Sequence, residues 1–139
     1  MMVYLDSSIL LEMYLDQPKA SEAQQILSAP GSKISSWLLM VEVPVVLRRA
    51  LTAKPARALN KLLAVFDEDA RALHLFDSWP EVAARVRQDA RFSKCRALDA
   101  IHLASAVLLG EELGQPVQIA TFDEGLRAAA LTLGLPTAC

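Results

Sequence analysis

Met1-Met2-Val3-Tyr4-Leu5-Asp6-Ser7-Ser8-Ile9-Leu10 opens the chain with an apolar run that stops on an acid and two serines. Val3-Tyr4-Leu5 reads as a short buried strand. Asp6-Ser7-Ser8 can cap the helix that follows through Leu15. The same order returns near the other end, where Val117 to Thr121 is a strand and Asp123 caps or opens a final helix. Gly134 ends that helix, and Leu135 to Ala138 adds an edge strand.

Between these two units strand-like and helix-like segments alternate. Pro18 opens a second helix, amphipathic through Ala23, Ile26 and Leu27, that stops at Pro30-Gly31. Lys33-Ile34-Ser35 is a brief strand, and Ser35 or Ser36 caps a helix running toward Leu51. Pro44 inside it should kink it or loosen its hydrogen bonding. Pro55 begins a helix with Leu59, Leu62, Leu63 and Phe66 on its apolar side. Ala72 to Phe76 reads as a strand, and Pro80 starts a basic helix reaching roughly Phe92. The helix from Arg96 to about Leu113 is apolar almost all round and should be central. This βα alternation predicts an α/β fold with helices on both faces of a parallel sheet. With no repeat, low-complexity tract or linker, residues 1–139 read as a single domain.

Four acids stand beside or within apolar segments: Asp6, Glu42, Asp99 and Asp123. Acidic side chains are almost never fully buried unless paired or bound to metal. Ligands in open parallel sheets bind outside the carboxyl ends of the strands. Asp6 and Asp123 fall at such ends, Glu42 lies about two turns into the helix after the second strand, and Asp99 is in the first turn of the central helix. All four can face one crevice, whose natural occupant is a hard divalent cation, Mg²⁺ or Mn²⁺, held through oxygen. Mutual repulsion should then raise the pKa of at least one of them when no cation is bound. Each also has a structural use. Asp6 and Asp123 can be helix N-caps, Asp99 gains from the helix dipole, and Glu42 can pair with Arg48 or Arg49. His102, three residues after Asp99, can be a base or a buried hydrogen-bonded residue. The hydroxyls of Ser8 and Thr121 can orient neighbouring carboxylates or cap helices.

The composition, 53% hydrophobic and 22% charged, belongs to a globular protein. No apolar stretch is long enough to cross a bilayer, and the start lacks the basic leader of a signal peptide. Cys95 and Cys139 make neither a disulfide framework nor a zinc set, so a reducing cytoplasm is the expected home. Net charge is −2, but setting aside the four acids leaves twelve against 14 basic residues. Arg85, Arg87, Arg91, Lys94 and Arg96 crowd one stretch opposed only by Asp89. That stretch is either a solvated helix face or a surface for phosphates, with Arg91, Lys94 and Arg96 as candidate RNA contacts.

Four segments in order resemble the PIN-domain nucleases, and within them the VapC toxins of bacterial toxin–antitoxin pairs. They are Tyr4-Leu5-Asp6-Ser7-Ser8-Ile9-Leu10; Val41-Glu42-Val43 with Arg48-Arg49; Leu98-Asp99-Ala100-Ile101-His102-Leu103-Ala104-Ser105-Ala106; and Thr121-Phe122-Asp123-Glu124-Gly125-Leu126 with Gly134-Leu135. The third is the most specific. The resemblance implies a three-layer α/β/α fold and Mg²⁺- or Mn²⁺-dependent endoribonuclease activity on structured RNA. It also implies a homodimer held by a VapB-like antitoxin, with Asp6, Glu42, Asp99 and Asp123 as catalytic, metal-binding acids. Family members vary at the fourth position, where Thr or Ser nearby can share the role.

Two other magnesium-using α/β classes are excluded by missing residues. A phosphorelay receiver needs an acidic pair after its first strand and a lysine after its last, and no Lys follows Lys94. A DxD phosphatase needs an acid where Ser8 stands. The remaining alternative is a catalytically weak PIN scaffold that binds RNA or protein.

Overall fold

Strand β1 (Met2–Leu5) is the keel of a four-stranded, all-parallel sheet of order β3-β2-β1-β4. The structure is a computed structural model describing residues 2–139; Met1, first of the apolar run, lies outside them. β2 spans Lys33–Ser36, β3 His74–Phe76 and β4 Val117–Ala120. Tyr4 pairs in register with Ile34 on one side and Ile119 on the other, and Leu5 with Ala120. A strand flanked on both edges and covered on both faces has no use for polar side chains, which explains its apolar reading.

Among the described residues seven α-helices join these strands: α1 (Ser7–Tyr14), α2 (Ala20–Ser28), α3 (Leu39–Ala50), α4 (Ala56–Arg71), α5 (Trp79–Gln88), α6 (Ala97–Leu113) and α7 (Glu124–Thr132). Strand alternation divides the core into two faces. Met2, Tyr4, Ile34, Phe76 and Ile119 pack with Val82 of α5, Leu103 and Leu109 of α6, and Leu126 of α7. Leu5 and Ala120 pack oppositely with Ile9 of α1 and Ala23 of α2. Beside that second face α3 and α4 close on α1 through Leu39, Val43, Leu47, Phe66 and Leu10. The result is the expected α/β/α sandwich.

The chain steps from β1 to β2 to β3 in one direction, then crosses back through α5 and α6 to lay β4 on the far side of β1. Right-handed crossovers running in opposite directions put their helices on opposite faces, which accounts for the two layers. It also makes the β1/β4 boundary the place where strand order reverses, and ligands bind at the carboxyl ends there.

Several boundaries differ from the sequence reading. The helix expected from Pro80 to Phe92 stops at Gln88, because Asp89 is extended (φ −110°, ψ 107°) and its carboxylate accepts from Arg91 N to start a separate 3₁₀ turn, Ala90–Lys94. Neither Ser35 nor Ser36 is the N-cap of α3: Trp37-Leu38 intervenes, Ser36 Oγ accepts from Leu38 N, and Ser35 Oγ donates to Leu5 O. α3 does carry Pro44 within it and ends at Ala50, as the sequence reading has it. Leu73 folds back onto Ala70, so β3 begins only at His74. The tail contributes a single parallel bridge, Thr137 to Ile119, in place of a full edge strand. Among the described residues no helix is long and apolar enough to cross a membrane.

Candidate active site

Asp6 lies buried at the β1/β4 switch point, 5% exposed at the end of β1. Its backbone is extended and its Oδ1 accepts from Ser8 N at 3.1 Å, so it is the N-cap of α1. Ser8 Oγ donates to the same oxygen at 2.6 Å, and Thr121 Oγ1, just past β4, donates to Oδ2 at 2.8 Å. Both hydroxyls also accept from the loop after β4, Ser8 from Phe122 N and Thr121 from Asp123 N. The two strand ends are thereby stitched together around one carboxylate. Ser8 and Thr121 orient the acid and cap the backbone at once.

No ion pair among the described residues includes Asp6. Its carboxyl is raised above the ordinary value, chiefly because burial penalises the charged form. The hydroxyl bonds and nearby His102 act against that, and Glu42 adds a smaller push upward. A raised carboxyl was expected from repulsion among acids; desolvation turns out to be the main cause.

Glu42 projects from α3 with its side chain 21% exposed, and its Oε1 meets His102 Nε2 at 2.6 Å. The alternative pairing with Arg48 or Arg49 does not occur; both are exposed residues in the last turn of α3. His102 is buried on α6, and its Nδ1 meets the phenol of Tyr4 at 2.7 Å. Burial pushes the Tyr4 phenol well above its usual value, so it is neutral at any physiological pH. Tyr4 is a site residue the sequence reading missed. The signal was available: it lies two residues before Asp6 in a strand, hence on the same face of the sheet.

Asp99 sits in the first turn of α6, and Asp123 is the N-cap of α7, accepting from Leu126 N at 3.1 Å. Arg96, the N-cap residue of α6, lies between them, with Nε 3.2 Å from Asp99 Oδ2 and Nη2 3.8 Å from Asp123 Oδ2. A Cβ on Gly125 would come within 3.1 Å of that guanidinium, so the small residue leaves room for it. Arg96 thus bridges Asp99 and Asp123 from an exposed position. The other candidate contacts differ: Arg91 is chelated by Asp89 and also donates to Leu133 O, while Lys94 is exposed. Arg85 is spent on Glu111.

As the side chains lie, no three His, Cys, Asp or Glu among the described residues form a ready-made cation cage. The structure brings the acids together in two groups, Asp6 with Glu42 and Asp99 with Asp123. The donor chemistry nonetheless suits a hard divalent ion. Every free ligand is an oxygen, and Asp6 is a buried carboxylate without a cationic partner. Such an ion needs only one or two carboxylates, with water and substrate phosphate completing its shell.

This arrangement, a parallel α/β/α sandwich with acids at the β1/β4 switch point, goes with a definite family. The PIN domain model matches residues 3–131, and the chain belongs to that family. A curated relative, Ribonuclease VapC46 of Mycobacterium tuberculosis, is 32% identical over 139 residues, covering 96% of this chain and 93% of the relative.

Proposed function

We propose that this protein is a Mg²⁺- or Mn²⁺-dependent endoribonuclease, acting in the cytoplasm as the toxin of a toxin–antitoxin pair. The observation that carries the reading is Asp6: a buried carboxylate without a cationic partner, oriented by two hydroxyls at the strand-order switch point, with Glu42 beside it. The ribonuclease name of the relative supports the same chemistry.

Asp6, Glu42 and Asp99 would hold the ion, with Asp123 or the Thr121 hydroxyl completing the set. Bound there, a divalent ion supplies a water acidic enough to attack near neutral pH and a charge that polarises the phosphoryl oxygen. Ser8 and Thr121 keep Asp6 aimed by occupying its other lone pairs. Arg96, whose side chain is 73% exposed, can turn from the carboxylates to a substrate phosphate, and Lys94 can meet the backbone further along. An RNA-bound state therefore exchanges an internal ion pair for an external one.

A second reading has its own support. With Arg96 between Asp99 and Asp123, the protein could act as a weak or inactive scaffold that binds RNA or protein. Cleavage of a structured RNA by purified protein, with Mg²⁺, with Mn²⁺ and with chelator, separates the two. Asp6→Asn, Glu42→Gln and Asp99→Asn should each abolish cleavage with folding retained. Full metal-dependent cleavage by Asp99→Asn would defeat the mechanism. In cells, the protein alone should arrest growth, and a VapB-like antitoxin encoded beside it should restore it by presenting a cationic side chain to the acids. Undisturbed growth with abundant soluble protein would overturn the toxin role. A homodimer completes the proposal, to be checked by light scattering.

A further inference from the structure

We infer that Tyr4 and His102 form a positioning relay that holds the Glu42 carboxylate ready for a divalent cation, an inference that rests on the metal-site reading above. The relay is two hydrogen bonds long, from Tyr4 Oη to His102 Nδ1 at 2.7 Å and from His102 Nε2 to Glu42 Oε1 at 2.6 Å. Tyr4 is fully buried and His102 is 3% exposed, so neither nitrogen of the ring can find a partner in solvent. The rings meet edge to face, with centroids 5.7 Å apart at 76°.

The direction of the bonds follows from the partners. A carboxylate only accepts, so Nε2 carries the proton that faces Glu42. In the neutral ring Nδ1 is then an acceptor, and the Tyr4 hydroxyl donates to it. One tautomer satisfies both ends. Take away the phenol and the ring is free to put its proton on Nδ1, presenting a lone pair to the carboxylate.

The placement gives the relay its purpose. Tyr4 is on β1 two residues before Asp6, His102 is on α6 one turn after Asp99, and Glu42 is on α3. The relay therefore ties together the three elements that bear the three acids. A glutamate has three side-chain torsions, and an ion that captured it from free rotation would have to freeze them. The bond to His102 freezes them beforehand and uses only Oε1, leaving the second oxygen for the ion. Groups that orient a metal ligand in this way typically matter by about 10–100-fold in affinity or activity.

The test is binding of Mn²⁺ alone to the full chain, followed by electron paramagnetic resonance, alongside thermal unfolding in chelator. Tyr4→Phe and His102→Asn should raise the Mn²⁺ dissociation constant about 10–100-fold. His102→Gln, whose amide N–H reaches toward the position of Nε2–H, should recover most of the loss. His102→Asn, which mimics Nδ1, should not. RNA cleavage should need correspondingly more Mg²⁺ and approach wild-type kcat when the ion is saturating. Unchanged Mn²⁺ affinity in folded Tyr4→Phe or His102→Asn overturns the relay while leaving the metal site intact. Equal losses in His102→Gln and His102→Asn, tracking their unfolding temperatures, also overturn it by assigning both residues a purely structural role. If the wild-type protein binds no Mn²⁺, the metal-site reading itself falls and the relay with it.

Discussion

Asp6 combines two demands at a single residue. Its cap and hydroxyl bonds favour the charged form, yet burial outweighs them and its pKa rises from the ordinary 3.8. A carboxyl raised in the folded state adds stability that is fully present below the unfolded value and lost as pH climbs through the folded one. Metal-free wild-type protein should therefore lose stability relative to Asp6→Asn as pH rises above the ordinary carboxylate value. Paired denaturant titrations in chelator measure the difference and cancel opposite contributions from Asp89 and Glu111, whose values are lowered. A constant difference would show that burial of Asp6 carries no charge penalty. Arg96 offers a second residue-level check. Arg96→Gln removes a cation competing with the ion, so Mn²⁺ should bind more tightly while the KM for RNA rises. Both changes in the same direction would contradict the exchange of partners. The acids themselves could be picked out from sequence because a lone carboxylate beside an apolar run is chemically conspicuous. The face on which Tyr4 lies was also readable, but its bond to His102 and those of Arg96 were not, since they join residues whose approach only the folded chain decides.

At the scale of elements, α6 is the central helix that its all-round apolarity suggests: Leu103, Ala104, Ala106 and Leu109 are all fully buried. Its last turn carries Gly110, where an added Cβ would meet Val117 Cγ2 at 2.9 Å and Gln115 O at 3.2 Å. Alanine gains up to about 1 kcal/mol in helix propensity over glycine. A β-branched valine at the start of β4 and a fixed carbonyl cannot easily yield, and overpacking costs about 1–3 kcal/mol. Gly110→Ala should thus destabilise the protein by roughly 1–2 kcal/mol net; a raised unfolding temperature would mean that α6 shifts freely against β4. Strands and helices were readable because period and capping residues are local signals. The misjudged points share a different cause. Asp89 breaks the basic helix through its own side chain folding onto Arg91 N, and Ser36 does not cap α3 because Trp37-Leu38 intervenes and its hydroxyl accepts from Leu38 N. In both, a short side-chain-to-backbone turn displaces the helix boundary that periodicity alone suggests.

For the whole molecule, the crevice joins segments from both ends of the chain, so occupancy should be felt as global stability. An ion that binds only the folded state contributes about 2.7 kcal/mol at a hundredfold excess over its dissociation constant, or roughly 10 °C for a domain of this size. Calorimetry with and without Mg²⁺ or Mn²⁺ should register that rise, and Asp6→Asn should remove it. No shift with either ion would empty the site of its assigned role. Another feature of the whole molecule lies away from the crevice. Pro136 and Ala138 hydrogen-bond on either side of Ile119, at 2.8 Å each, while Arg127 Nε holds Cys139 O at 2.7 Å. The outer edge of β4 is consequently met at Ile119 by the chain itself, with a proline in the covering segment that has no N–H to offer a newcomer. The opposite edge, β3, is only three residues long. A foreign or sister strand seeking to extend the sheet finds one border blocked at its middle and the other too short to grip, which disfavours fibrous stacking.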